Sequence, residues 1–171
     1  MTRLRTLTWF ASFLVALLVC TRSAHAADIS GTITTTVTIM ENSKLVGDVI
    51  CAVSGAPCIA FGGSGLTLDL NGFSMTGLGD PLTGCSGGST AGEIGIDVNG
   101  INDVTVRGLG VVQRFRSHGI RLNNSTGATV ADVTASTNCL AGIFVSGGAG
   151  NVLERNVAVQ NGHLSNPCGG I

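Results

Sequence analysis

Gly95-Ile96-Asp97-Val98, Gly119-Ile120-Arg121-Leu122 and Gly142-Ile143-Phe144-Val145 are one pattern met three times, and Gly170-Ile171 opens it again. The leading glycines are 24, 23 and 28 residues apart. A second apolar cluster follows each copy: Val106, Leu109 and Val111, then Val130, Val133 and Ala135, then Leu153, Val157 and Val159. Upstream, Leu68-Asp69-Leu70-Asn71-Gly72-Phe73-Ser74-Met75 aligns without a gap on Val104-Thr105-Val106-Arg107-Gly108-Leu109-Gly110-Val111. Self-similarity at this period marks a stack of repeated supersecondary units. Apolar residues two apart (Ile96/Val98, Ile120/Leu122, Ile143/Val145) give the period of a strand with one buried face. No unit has helical spacing, and Gly, Asn, Ser and Thr punctuate each one at intervals suited to tight turns.

The reading is an all-β chain, a parallel β-helix solenoid of ~23-residue coils. At these residues it resembles the right-handed parallel β-helix repeat proteins. That group includes pectate lyases, polygalacturonases, carbohydrate-binding and sugar-hydrolysis domains, and the periplasmic β-helix protein of nitrous-oxide reductase maturation. The resemblance covers residues 45–171 and implies an exported protein with polysaccharide as ligand. Gly170-Ile171 reads as the start of a further coil. The expectation is a chain truncated at its C-terminus, or one whose open end is covered by end-to-end self-association.

Residues 1–26 read as a signal peptide: Arg3 and Arg5, an apolar Leu7–Val19 run, then Ala24-His25-Ala26 as a small-x-small cleavage site. The apolar run is short for a membrane span, and Val19 stands where a lipid-anchored Cys20 needs a small residue, so no membrane anchor is expected. A secreted or periplasmic location follows. Beyond residue 26 stand six basic side chains against ten acidic ones, a formal charge of −4 with no basic patch for nucleic acid. Neither Trp nor Tyr remains to form a strong aromatic sugar platform.

Residues 27–44 are Thr-rich and β-branched, and read as a strand region capping the first coil. Residues 77–93 break the period, with some 13 extra residues around Cys85. Such insertions either shape a binding cleft or are plain surface excursions.

Five cysteines follow the signal, and export implies disulfides. Cys51 and Cys58 flank a turn and pair. Cys139 and Cys168 stand three and two residues before successive Gly-Ile pairs, so stacking brings them within bonding range. Cys85 is then the odd one. Neither a Cys-x-x-Cys nor a His pair suggests a metal site, and no cofactor is implied.

Alternation turns Asp97/Asn99, Arg121/Asn123 and Phe144/Ser146 outward in two rows. Asp97, Arg121, Phe144, Asn99 and Asn123 are the candidate ligand-binding residues. The row is either a carbohydrate-contacting strip or a cross-strand ladder worth roughly 0.2–1 kcal/mol per pair. Catalysis is a weaker reading. Hydrolysis needs two carboxylates across one gap, yet the alignment sets Asp69 beside Thr105 and Asp97 beneath Arg121. Arg107 or Arg121 could act as a lyase base, but no acid cluster assembles around either. Ser117-His118-Gly119 is a loose match to the polygalacturonase Gly-His-Gly pattern, making His118 the nearest thing to an acid–base group. No residue is assigned as catalytic. The reading is therefore a binding or scaffold module, with a polysaccharide lyase or glycoside hydrolase as the alternative. Asn138 and Asn161, each closing a coil, are expected to form a structural asparagine ladder.

Overall fold

The computed structural model describes residues 27–83, 85, 91–162 and 170–171, so the signal segment and Cys168 lie outside the described residues. The elements in chain order are β1 (Ala27–Ile33), β2 (Val37–Ile39), β3 (Ser43–Cys51), β4 (Ile59–Phe61), β5 (Thr67–Asp69) and β6 (Ser74–Thr76). A 3₁₀ turn at Pro81–Thr83 precedes β7 (Ile96–Asn99), β8 (Thr105–Arg107), β9 (Val111–Gln113) and β10 (Ile120–Asn123). Then come β11 (Thr129–Ala131), β12 (Thr134–Ser136), β13 (Ile143–Ser146), β14 (Val152–Glu154) and β15 (Val157–Val159). No α-helix occurs among the described residues.

All pairing is parallel, and each repeat supplies one strand to each of three columns. The first column is β2-β4-β7-β10-β13, a five-stranded sheet. The second is β5-β8-β11-β14 and the third β6-β9-β12-β15. They belong to one sheet because the long β3 pairs with β5 through Ser43 and Lys44 and with β6 through Val49 and Ile50. β1 runs along the other edge of β3, with a register shift between Ile29 and Gly31. The expected N-terminal strand region is thus two strands, β1 and β2.

Register puts like residues over like. Ile59, Ile96, Ile120 and Ile143 form one inward row, all fully buried. Leu68, Val106 and Val130 form a second, and Met75, Val112 and Ala135 a third. Burying each larger side chain contributes about 1.5–3 kcal/mol, so these rows hold the columns together.

Two sequence expectations about register need correction. Leu68 pairs with Val106, and Asp69 with Arg107, two places from the gapless alignment. The turn between the second and third columns also changes length, so the offset is two places at Leu68 but only one at Met75, which pairs with Val112. This turn shortens from residues 70–73 to 108–110 and then to 132–133. Leu70 fills the space above Gly110, where a Cβ would lie 2.4 Å from the Leu70 Cβ. Val112, not Val111, is the inward residue of β9, and Leu109 is 82% exposed. In β15 Ala158 pairs with the buried Ala135, so Val157 and Val159 face outward.

The asparagine ladder forms as expected. Asn138 Nδ2 donates to Asn161 Oδ1 at 2.9 Å and to the Val112 carbonyl at 3.1 Å, while its Oδ1 accepts the Phe115 N–H at 3.0 Å. Asn151, Asn156 and Asn161 repeat one arrangement at three turns. Each oxygen accepts an N–H 23 residues back (Ala128, Val133, Asn138), and each amide donates to a carbonyl 26 back (Ser125, Val130, Ala135). Asn138→Ala should lose about 1–3 kcal/mol in a urea titration, because the buried Phe115 N–H is left without its acceptor. A loss under about 0.5 kcal/mol would show that water replaces the amide there.

Among the described residues the disulfides are Cys51–Cys58, as expected, and Cys85–Cys139, with Cα separations of 5.8 and 6.0 Å. The pairing of Cys139 with Cys168 is therefore wrong, and Cys85 is not the odd cysteine. The segment beginning at Gly77 stays on the neighbouring repeat: Gly77 N donates to Gln113 O at 2.9 Å and Gly79 N to Arg114 O at 2.6 Å. That path carries Cys85 to the Phe115–Cys139 turn, where Cys139 N donates to Phe115 O at 2.9 Å.

Candidate functional site

The outward row of the first column brings the predicted residues together. Arg121 pairs in register with Asp97 on one side and Phe144 on the other. Its guanidinium grips the carboxylate with both branches, Nε to Oδ1 at 2.7 Å and Nη2 to Oδ2 at 2.8 Å. Asp97 is only 7% exposed, so this is a partly desolvated, bidentate pair of the stronger kind. Two positions on, Asn123 Nδ2 donates to Asn99 Oδ1 at 2.7 Å. Phe144 remains 38% exposed. Toward the N-terminal end the row continues through Ala60 and Thr38, which carry no charge.

His118, in the turn before β10, joins this row through Phe144. Their rings stack with centroids 4.4 Å apart and planes 14° from parallel. His118 Nδ1 accepts the Ala141 N–H at 3.2 Å, which places the neutral ring's proton on Nε2. Burial, helped by the nearby Arg121 cation and opposed by Asp97, lowers its pKa to about 4. The imidazole is thus neutral at pH 7.

Asp97–Arg121 has counterparts across the protein. Arg107 faces Asp69 at 3.1 Å, Arg114 faces Asp80 at 3.7 Å and Lys44 faces Asp28 at 3.7 Å. Arg155 holds Asp132 at 2.7 and 2.8 Å and also reaches Glu154 at 3.1 Å. That contact holds the Asp132 carboxyl below its ordinary range. Arg116 meets the buried Glu93 through Nε to Oε2 and through Nη2 to Oε1, the latter at 2.8 Å. Every lysine and arginine among the described residues therefore faces a carboxylate earlier in the chain. Composition alone did not reveal this, but the spacing carried a signal: Glu93/Arg116 and Asp132/Arg155 are 23 residues apart and Asp97/Arg121 is 24.

Chemically, the row offers an aromatic face, amides that donate and accept, and a charge pair closed on itself. Asp97 and Glu93, the two buried carboxylates, are each engaged by an arginine rather than by one another. Near Phe144 the row meets a hollow of about 560 Å³ lined by apolar Ile143, Val145, Leu153 and Ile171. Gly142 N and Ile143 N donate to Gly170 O at 3.1 and 3.2 Å, matching Ile120 N to Gly142 O at 2.9 Å one repeat earlier. A second hollow of about 440 Å³, lined by Ile29, Ile33, Val37 and Ile39, lies by β1 and β2. The two disulfides suit an oxidising, extracytoplasmic compartment. No family model, curated protein sequence or solved structure matches this chain.

Proposed function

We propose that this protein is an exported right-handed parallel β-helix acting as a binding or scaffold module, with a neutral polysaccharide as ligand along the outward row of Asp97, Arg121, Phe144, Asn99 and Asn123. Three columns of in-register parallel strands, each repeat feeding each column once, support the β-helix reading. The right hand follows from the near-uniform handedness of parallel crossovers. The ligand class rests on one observation. Arg121 is held by both branches on Asp97, so the row presents amide groups and a phenyl face but no open cation. Such a surface suits sugar hydroxyls and the C–H face of a pyranose better than uronate carboxylates.

Phe144→Ala tests the reading on an array holding neutral and acidic glycans. The expected result is a binding loss of about tenfold on neutral glycans with little change in melting temperature. Lowered stability with unchanged binding would make the row a cross-strand ladder only. No binding to any glycan, or binding confined to acidic ones, would overturn the ligand assignment.

A further inference from the structure

We propose that His118 is a positioning residue for this row, holding β13 and the Phe144 ring in the binding arrangement only while its own imidazole is neutral. The inference rests on the glycan-binding reading above, although its structural half can be tested alone.

His118 takes hold of β13 at two points. Its ring lies flat against Phe144, and its Nδ1 accepts the N–H of Ala141, two residues before the strand begins. The two contacts fix both the backbone entering β13 and the plane of the ring that the row displays. Its own carbonyl meanwhile accepts the Gly95 N–H at 3.1 Å, which anchors His118 to the repeat before. His118 thus connects three successive repeats from the turn, as β10 does within the sheet.

Protonation would undo one of these contacts outright. An imidazolium donates from both nitrogens and has no lone pair for Ala141, so two N–H groups would face each other there. The charged groups around it are Arg121 on β10 and Asp97 on β7. Arg121 opposes a second cation, and Asp97, already paired with Arg121, compensates only in part. Burial acts in the same direction as Arg121 and holds the imidazole's pKa down at about 4. As pH falls toward that value the Ala141 contact should break and Phe144 should lose its backing ring.

Proton–nitrogen NMR of His118 in the full chain should show the Nε2–H tautomer at neutral pH and a titration midpoint of about 4. The Phe144 ring signals should move with the same midpoint. A midpoint near the ordinary histidine value of about 6.5, or Phe144 signals that ignore the titration, would overturn the proposal. With cellohexaose as probe, His118→Ala should weaken binding by about tenfold at pH 7. His118→Asn should recover part of that loss, because its Oδ1 can accept the Ala141 N–H, and its affinity should no longer fall between pH 6 and pH 4. Unchanged binding by His118→Ala, or a persisting fall in His118→Asn, would count against it. If cellohexaose does not bind wild-type protein, the neutral glycan that binds best on the array replaces it; if none binds, the ligand reading fails and the NMR titration alone decides the positioning role.

Discussion

Glu93→Ala should destabilise the protein by about 3–5 kcal/mol, the cost typical of breaking a buried ion pair. Glu93 is 4% exposed, and its carboxylate meets four groups. Oε1 accepts the Gly55 N–H at 2.9 Å, the Ser54 hydroxyl at 3.3 Å and Arg116 Nη2 at 2.8 Å, while Oε2 meets Arg116 Nε. Removing it takes a bidentate carboxylate from a guanidinium whose side chain is only 18% exposed and leaves the Gly55 N–H without its acceptor. The damage should be local first. Ser54 and Gly55 lie between Cys51 and Cys58, so Glu93 ties that disulfide loop to the returning end of the 77–93 segment. Amide exchange at Gly55 should accelerate before the rest of the chain responds. Urea unfolding measures the total, and a loss below about 1 kcal/mol would mean that water replaces the carboxylate. Replacing both partners by leucine should recover part of the loss, since a buried pair carries its own desolvation cost.

Strand positions were readable wherever successive repeats have equal length. Ile96, Ile120 and Ile143 stack as the glycine spacings imply, and Asp97, Arg121 and Phe144 follow because alternation leaves them no other side. Where turn length changes, sequence similarity misleads. Leu68-Asp69-Leu70 matches Val104-Thr105-Val106 in hydropathy, but the strands pair two places further on, Leu68 with Val106 and Asp69 with Arg107. An alternating pattern matches equally well when slid by two residues, so similarity alone does not fix the register and the gapless match was the wrong one.

The same limit explains the cysteines. Cys51 and Cys58 close a short turn, and local geometry decides their pairing. Cys139 has an equivalent in the next repeat by spacing, but its partner sits in a segment that obeys no repeat and so has no register to read. His118 was visible as a residue and obscure in its role. It meets Phe144 from a turn 26 residues earlier, outside the 23-residue register that aligns Arg121 with Phe144. Contacts between turns of neighbouring repeats lie off the strand alignment. The Asn151, Asn156 and Asn161 bonds are of this kind too, yet their regular five-residue spacing was present in the sequence.

Replacing Cys85 and Cys139 together by alanine should cost about 4 kcal/mol, and more than the same change at Cys51 and Cys58, expected at about 2.5 kcal/mol. The ranking comes from the chain each bond closes. Cys85–Cys139 spans a sequence separation of 54 and Cys51–Cys58 one of only 7, so the former restricts the unfolded chain more. Packing does not separate the two bonds, since Cys51 and Cys58 are 2% and 1% exposed. Cys139 is wholly buried and Cys85 only 2% exposed, so the sulfurs also fill interior space. Alanine is the better probe, because serine would bury a hydroxyl in their place. The folded state opposes part of the effect: Gly77 and Gly79 remain bonded to Gln113 and Arg114, and Glu93 still anchors the far end of the segment. The 77–93 segment should accordingly loosen near residue 85 while the three columns persist, and combining the change with Glu93→Ala should cost more than the sum of the two. Non-reducing peptide mapping of the oxidised protein comes first. A fragment joining Cys139 to Cys168 would remove the basis of the prediction. With the mapped pairing confirmed, a larger loss at Cys51–Cys58 would show that local packing of that turn, rather than the length of chain enclosed, sets what these crosslinks contribute.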